Sequence, residues 1–326
     1  MPFSTEHEKL LRATHQQYFR GVEDGITEDN RGLQLLQQRG RIRMNVGGAF
    51  LEWRVRKQQF TTIDGWRDMD SIEFKREDTR DTAKLNWKGI RGSYTISWWE
   101  AQANKGDNKI FDTQREELDS LYSDVRENFE DMFFDSGASG LLSNKGWNGI
   151  PAFIAQTGTY ANISQTNSYW QAQELSGTGG PNSSFLTDAL ERLALGYVTA
   201  GRGSRVRGKG GKIQAWITTR AAWNIIHSAI QTNERFGVMG DPNTAQAGFT
   251  SLMVMGIPVF WSDSATAAVV YGLNFDHLEL GCTHENLLHT YQDMTASPYT
   301  FVGMVVSMSQ IRSTSPRYQI RITNAA

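Results

Sequence analysis

Residues 108–136 read NKIFDTQREELDSLYSDVRENFEDMFFDS. Ile110, Phe111, Leu118, Leu121, Val125, Phe129, Met132 and Phe133 recur along this stretch at steps of three and four, with Gln114 the one polar interruption. That spacing puts the apolar side chains on one stripe of a helix and the charges on the opposite face. The helix is expected to start near Asn108 or at the Thr113 to Glu116 capping box, with Gly137 as its C-cap. At ~1.5 Å per residue it would be roughly 40 Å long. A helix of this length with a single apolar stripe serves as a spine. Its few heptads and bulky phenylalanines fit a coiled coil poorly.

Upstream, Leu51, Trp53 and Val55 alternate with Glu52, Arg54 and Arg56, while Tyr94, Ile96 and Trp98 alternate with Thr95 and Ser97. Both runs read as amphipathic strands. Between them lie Asp64, Arg67, Asp68, Asp70, Glu73, Lys75, Arg76, Glu77, Asp78, Arg80 and Asp81, with too few apolar residues for a core. Connections beyond about 12–15 residues are uncommon in compact domains. An extended hairpin with a charged tip is therefore expected, with a disordered surface loop as the competing reading. Nearer the start, a Thr5 to Glu8 capping box followed by Leu11, Tyr18 and Val22 predicts a short helix. Gly21 to Gly40 then reads as a polar arm whose Leu33, Leu35 and Leu36 seek a surface elsewhere.

Downstream, Gly140 to Gly180 is rich in Gly, Ser, Thr and Asn, with Trp147, Ile150, Tyr160, Ile163, Tyr169 and Trp170 as anchors, so ordered loops and short strands are expected. A second helix is predicted around Leu186 to Tyr197, capped at Ser183 or Ser184. A strand follows at Lys212 to Thr218, then a third helix through Ala222, Ile225, Ile226 and Ala229 capped at Thr218 or Thr219. Short strands are expected near Leu252 to Val254, Ile257 to Trp261, Ala268 to Tyr271 and His277 to Leu280. Alternation at Val302 to Met308 and at Tyr318 to Ile322 predicts a terminal pair of strands. The class is α+β, and no internal repeat is present.

Composition narrows the function. The chain has 326 residues, 33 basic against 35 acidic side chains for a formal charge of −2, and 39% apolar residues. That is enough apolar surface for a core, and the charge balance argues against nucleic-acid binding as the main activity. Cys282 alone cannot make an internal disulfide, no apolar run approaches the ~20 residues of a membrane span, and Met1 to Lys9 lacks an apolar signal core. A soluble protein made in a cytoplasm is the expectation.

No motif nominates a catalytic centre. Gly203 to Lys209 matches a phosphate loop up to its lysine, but Gly210 stands where the magnesium-binding hydroxyl belongs and the helix–strand order is reversed. Arg202, Arg205, Arg207 and Lys209 among glycines read instead as a flexible basic turn able to touch phosphate or an acidic partner. His284 and His289 are five apart and would face different sides of a helix, and Cys282 lacks a second ligand pair. Ser139 lacks the spacing of a nucleophile elbow. The ten tryptophans read chiefly as packing residues. A carbohydrate-binding or hydrolytic protein using tryptophans and carboxylates is the alternative from another class.

The order of parts resembles the major capsid protein of tailed phages, the Hong Kong 97 fold. The more specific pieces are Gly140–Leu142, Thr159–Ser164 leading to Tyr169 and Trp170, Gly248–Phe249 before Met255–Val259, Val270–Asn274, and Gln310–Ile311 with Pro316 and Arg317. The resemblance implies an N-terminal arm at 1–42, an extended loop at 43–100 and a peripheral domain at 101–150 and 289–326. It places an inserted axial α/β domain at 151–288.

It further implies self-assembly into hexamers and pentamers of an icosahedral head enclosing double-stranded DNA. The protein would reside in the virion, assembled in the bacterial host cytoplasm, with no enzymatic activity, cofactor or metal. A portal and decoration proteins are further expected partners. Only about a hundred residues precede the spine helix, so a separate scaffolding protein is expected. Arg67, Asp68, Asp70, Glu73, Lys75 and Arg76 become subunit-interface candidates, and Arg202, Arg205, Arg207 and Lys209 basic axial-loop candidates with weak contact to DNA. Some relatives crosslink a lysine to an asparagine; Lys57, Lys75 and Asn324 are candidates for that here, but no acidic catalyst can be assigned.

Overall fold

The computed structural model describes residues 31–71, 74–97, 99, 110–137, 142, 145–176, 193, 212–233, 252–296 and 299–323. The elements begin with α1 (Arg31–Gln38), β1 (Ile42–Arg43), β2 (Phe50–Arg56), β3 (Arg80–Asn86), β4 (Lys88–Ser97), α2 (Ile110–Phe133) and α3 (Ile150–Phe153). Next come β5 (Thr159–Tyr160), β6 (Ile163–Ser164), β7 (Gln173–Ser176), β8 (Ala215–Thr218), α4 (Arg220–Asn233), β9 (Leu252–Val254) and β10 (Ile257–Trp261). The last are β11 (Val269–Leu273), β12 (Leu278–Cys282), β13 (His289–Ala296), β14 (Tyr299–Ser313) and β15 (Ile320–Thr323). The expected N-terminal helix, the helix around Leu186 to Tyr197 apart from the buried Leu193, the basic turn, Ser139, Glu73 and Asn324 fall outside the described residues. The fold is α+β, in two compact units.

The first unit takes in the chain up to Gly47, Lys88–Ile150 and Glu279–Ile311. Its spine is α2, which buries Leu118, Tyr122, Val125, Phe129, Met132 and Phe133. These positions follow the helical period, so burial of one stripe holds the helix in place. Leu121, expected on that stripe, is only half-buried because it lies at the flank. There it closes on Gly92 of β4, where an added β-carbon would stand 2.5 Å from Leu121 Cδ1. Gly137 is not the helix cap. Phe134 N–H donates to Asp131 O (3.1 Å) and Asp135 N–H to Met132 O (3.4 Å), closing the last turn by tighter bonds before Gly137 turns at φ +75°.

Beside the helix lies a five-stranded sheet of order β1-β12-β14-β13, with β4 also on β14. The long β14 runs antiparallel to both β4 and β13. Trp147 is fully buried, packs 5.2 Å from Phe129 and donates its indole N–H to Ser309 Oγ at 3.0 Å. Helix α1 corrects the reading of Leu33, Leu35 and Leu36 as seeking a surface elsewhere. All three are buried within this chain, with Gly32 of the same helix pressed against the Phe133 ring.

The second unit comprises Gly48–Trp87, Pro151–Leu278 and Arg312–Ala326. Its six-stranded sheet has the order β7-β15-β11-β8-β10-β9. Every residue of β8 is buried, as a central strand covered on both faces requires. Trp216, Ile226, Leu252, Val259, Val270, Ile320 and Ile322 join in its core. Thr219 caps α4, its hydroxyl accepting from Ala222 N–H at 3.4 Å. Strands β9 and β10 are joined by Met255 (φ +54°) and Gly256 (φ +75°), the backbone of a two-residue hairpin turn.

Two expected pairings do not form. The strand at Leu51 to Val55 pairs with β3, register Leu51 to Leu85, while Tyr94 to Ile96 belongs to β4 on β14. The hairpin therefore closes at Asn86, well before residue 100. Nor do the terminal strands pair with each other. Strand β14 lies in the five-stranded sheet and β15 in the six-stranded one, between β7 and β11.

Candidate assembly surface

The β2–β3 hairpin is rooted by alternation. Leu51, Val55, Ala83 and Leu85 point inward and are buried, while Glu52, Arg54 and Arg56 are exposed. Trp53 fixes the base of the hairpin. Its indole N–H donates to Thr314 O at 3.2 Å, its ring lies 6.3 Å from Trp170, and the Arg312 guanidinium sits 5.4 Å above it. Lys84 N–H donates to Ala161 O at 3.0 Å, in the tight turn where Ala161 and Asn162 both take positive φ. Tyr169 donates its hydroxyl to Asp81 at 3.0 Å. Burial first, and then that carboxylate, push the Tyr169 phenol up.

Beyond the ladder, the described residues among 57–79 form a largely exposed tip held by its own polar contacts. Lys57 pairs with Asp78 at 2.5 Å, and Gln58 donates to Asp78 O at 3.2 Å. The Glu77 carboxylate accepts from Thr61 N–H at 2.8 Å and from the Thr61 hydroxyl. Arg67 N–H donates to the Asp70 carboxylate at 2.7 Å, and Asp70 N–H to Arg67 O at 3.1 Å, making a tight turn with Met69 inside it at φ +73°. The Thr61 hydrogen bonds hold Glu77 below the usual carboxylate range, and Lys57 does the same for Asp78 while its own pKa is raised. Lys75 and Arg76 add favourable charge near Glu77 and Asp78 respectively.

The structure thus brings Arg67, Asp68, Asp70, Lys75 and Arg76 together on one exposed tip, whereas Glu73 lies outside the described residues. Arg202, Arg205, Arg207 and Lys209 also lie outside them. A reading by charge missed the apolar side chains of the tip: Phe60, Ile63, Trp66, Met69 and Phe74 are all exposed. Their signal was in the sequence as five large hydrophobic residues where no core could form.

Other candidate centres resolve differently. His284 and His289 lie in a bend and the start of β13 rather than on a helix, and their rings stack at 5.1 Å instead of facing apart. Among the described residues no cluster of three or more metal-ligating side chains occurs. No described helix is long and apolar enough to cross a membrane. Trp147, Trp170 and Trp216 are fully buried, whereas Trp66 and Trp99 are exposed.

Comparison with known proteins gives no matching family model and no matching curated protein. Solved structures do match. The cyanophage A-1(L) capsid subunit superposes with a TM-score of 0.69 at 16% identity, over 89% of this chain and 92% of that one. The capsid of a native GTA particle gives 0.58 at 13% identity, over 89% and 90%. The capsid of Myoviridae phage XM1 gives 0.53 at 10% identity, over 89% and 91%. Across nearly nine-tenths of its length this chain has the fold of those capsid proteins.

Proposed function

We propose that this chain is a major capsid protein whose copies assemble into hexamers and pentamers of a closed icosahedral head around double-stranded DNA. The observation that carries the reading is the shared fold over 89% of the chain. The projecting hairpin supports it, since a subunit that tiles a shell needs contacts distributed on arms while its core stays rigid. The role is structural and not enzymatic, and the protein resides in the virion after assembly in the host cytoplasm.

In this reading the first unit with its spine helix corresponds to the peripheral domain, the sheet of the second to the inserted axial domain, and residues 50–86 to the extended loop. Arg67, Asp68, Asp70, Glu73, Lys75 and Arg76 lie at subunit interfaces. A scaffolding protein, a portal and decoration proteins are the partners such a shell uses. The basic turn with Arg202, Arg205, Arg207 and Lys209 supplies a weak, salt-sensitive contact to scaffold or DNA. Replacing residues 60–76 by a short Gly-Ser turn tests the role of the loop. The expected product is a folded subunit that sediments as a small species and forms no shells; normal shells from this variant would refute it.

A further inference from the structure

We infer that the hairpin tip binds a second copy of this chain through an apolar anchor of Trp66, Met69 and Phe74, with Met69 as its knob and the charges as its rim. This rests on the capsid reading and specifies which side chains of that surface carry the contact.

Exposure is the first argument. Met69 is 97% exposed, Phe74 93%, Ile63 76% and Trp66 68%, with Phe60 at 49%. Scattered surface hydrophobes need no explanation, but five large ones on a single projecting element mark an interaction surface. At roughly 150 Å² each they offer on the order of 800 Å², about what one partner contributes to a standard interface.

Backbone strain is the second. Met69 holds φ +73° inside the turn that Arg67 and Asp70 close. Glycine, asparagine or aspartate would take that conformation more readily. A residue both strained and almost wholly solvated gains nothing for the isolated subunit, and strain retained at such a position points to function. The ion pair at Lys57 and the Thr61–Glu77 contacts close the neck of the tip, and the Arg67–Asp70 turn holds the backbone at Met69. Binding therefore sacrifices little further entropy.

Charge selects the occupant. Arg67, Lys75 and Arg76 are interspersed with Asp64, Asp68 and Asp70 around the anchor. Mixed signs are complementary to another copy of the same chain. Nucleic acid would be repelled by the acids, and an anionic lipid surface would call for cations alone.

The test compares Met69→Asn, the pair Trp66→Ser with Phe74→Ser, and the rim control Asp68→Ser with Lys75→Ser, each read by thermal midpoint and by shell yield in sedimentation. Met69→Asn should keep or raise the midpoint while lowering shell yield about tenfold or more, and the aromatic pair should do likewise. The rim pair, itself part of the contact, should lower shell yield by a smaller factor than either apolar variant. Parent-like assembly of both apolar variants, or loss of assembly only in the rim control, overturns the anchor. A parent chain that never assembles overturns the capsid reading itself, a distinguishable result.

Discussion

Gln319 performs with one side chain the work of a strand partner. Its amide N–H donates to Asn274 O at 2.9 Å and its amide oxygen accepts from Asn274 N–H at 2.8 Å, both fully buried in the second unit. Gln319→Ala would strand a backbone donor and acceptor away from water, and should lower stability by about 2–4 kcal/mol in denaturant unfolding. A loss below about 0.5 kcal/mol would mean that water or a neighbour replaces the amide. Nothing in the sequence marked this role. Between Tyr318 and Ile320, a period-two reading puts Gln319 on the outer face, and only the partner backbone at Asn274 explains its burial. Met69 was hidden for a related reason: a side chain's environment depends on φ and on what projects, and neither is written in hydropathy.

Elements were more legible than their partners. Helix α2 runs within the predicted stretch because its period is internal to the segment, and any apolar surface satisfies it. Phe129, toward its C-terminal end, is fully buried against Trp147. Phe129→Ala should therefore cost about 3–5 kcal/mol, checked by the urea midpoint. Leu121→Ala, at the half-buried flank, should cost clearly less; equal losses would mean that the stripe has been placed wrongly. Strand pairing was not legible, because alternation fixes which face is buried and says nothing of which strand lies alongside. Alternation alone therefore points to β2 beside residues of β4 rather than β3, whose polar sequence RDTAKLN hides its two inward side chains, Ala83 and Leu85. The candidate site fared similarly. Its projection followed from the run of charge, while its apolar face went unread until the tip was seen to have no core behind it.

At the scale of the whole molecule, the order of parts was informative where single motifs were weak. The six-stranded sheet collects β7, then β8 to β11, then β15 from separate stretches of chain, so the last strand returns to a sheet begun some 150 residues earlier. No local pattern encodes that return, and alternation alone points to the terminal strands pairing with each other, which they do not. Cryo-electron microscopy of the expressed chain, after sedimentation with and without a scaffolding partner, tests the capsid reading most directly. Closed shells, rings or tubes of repeated subunits are expected, each with residues 57–79 seated on an adjoining copy. A chain that stays monomeric at high concentration under both conditions, or particles whose hairpin tips stand free in solvent, would contradict it.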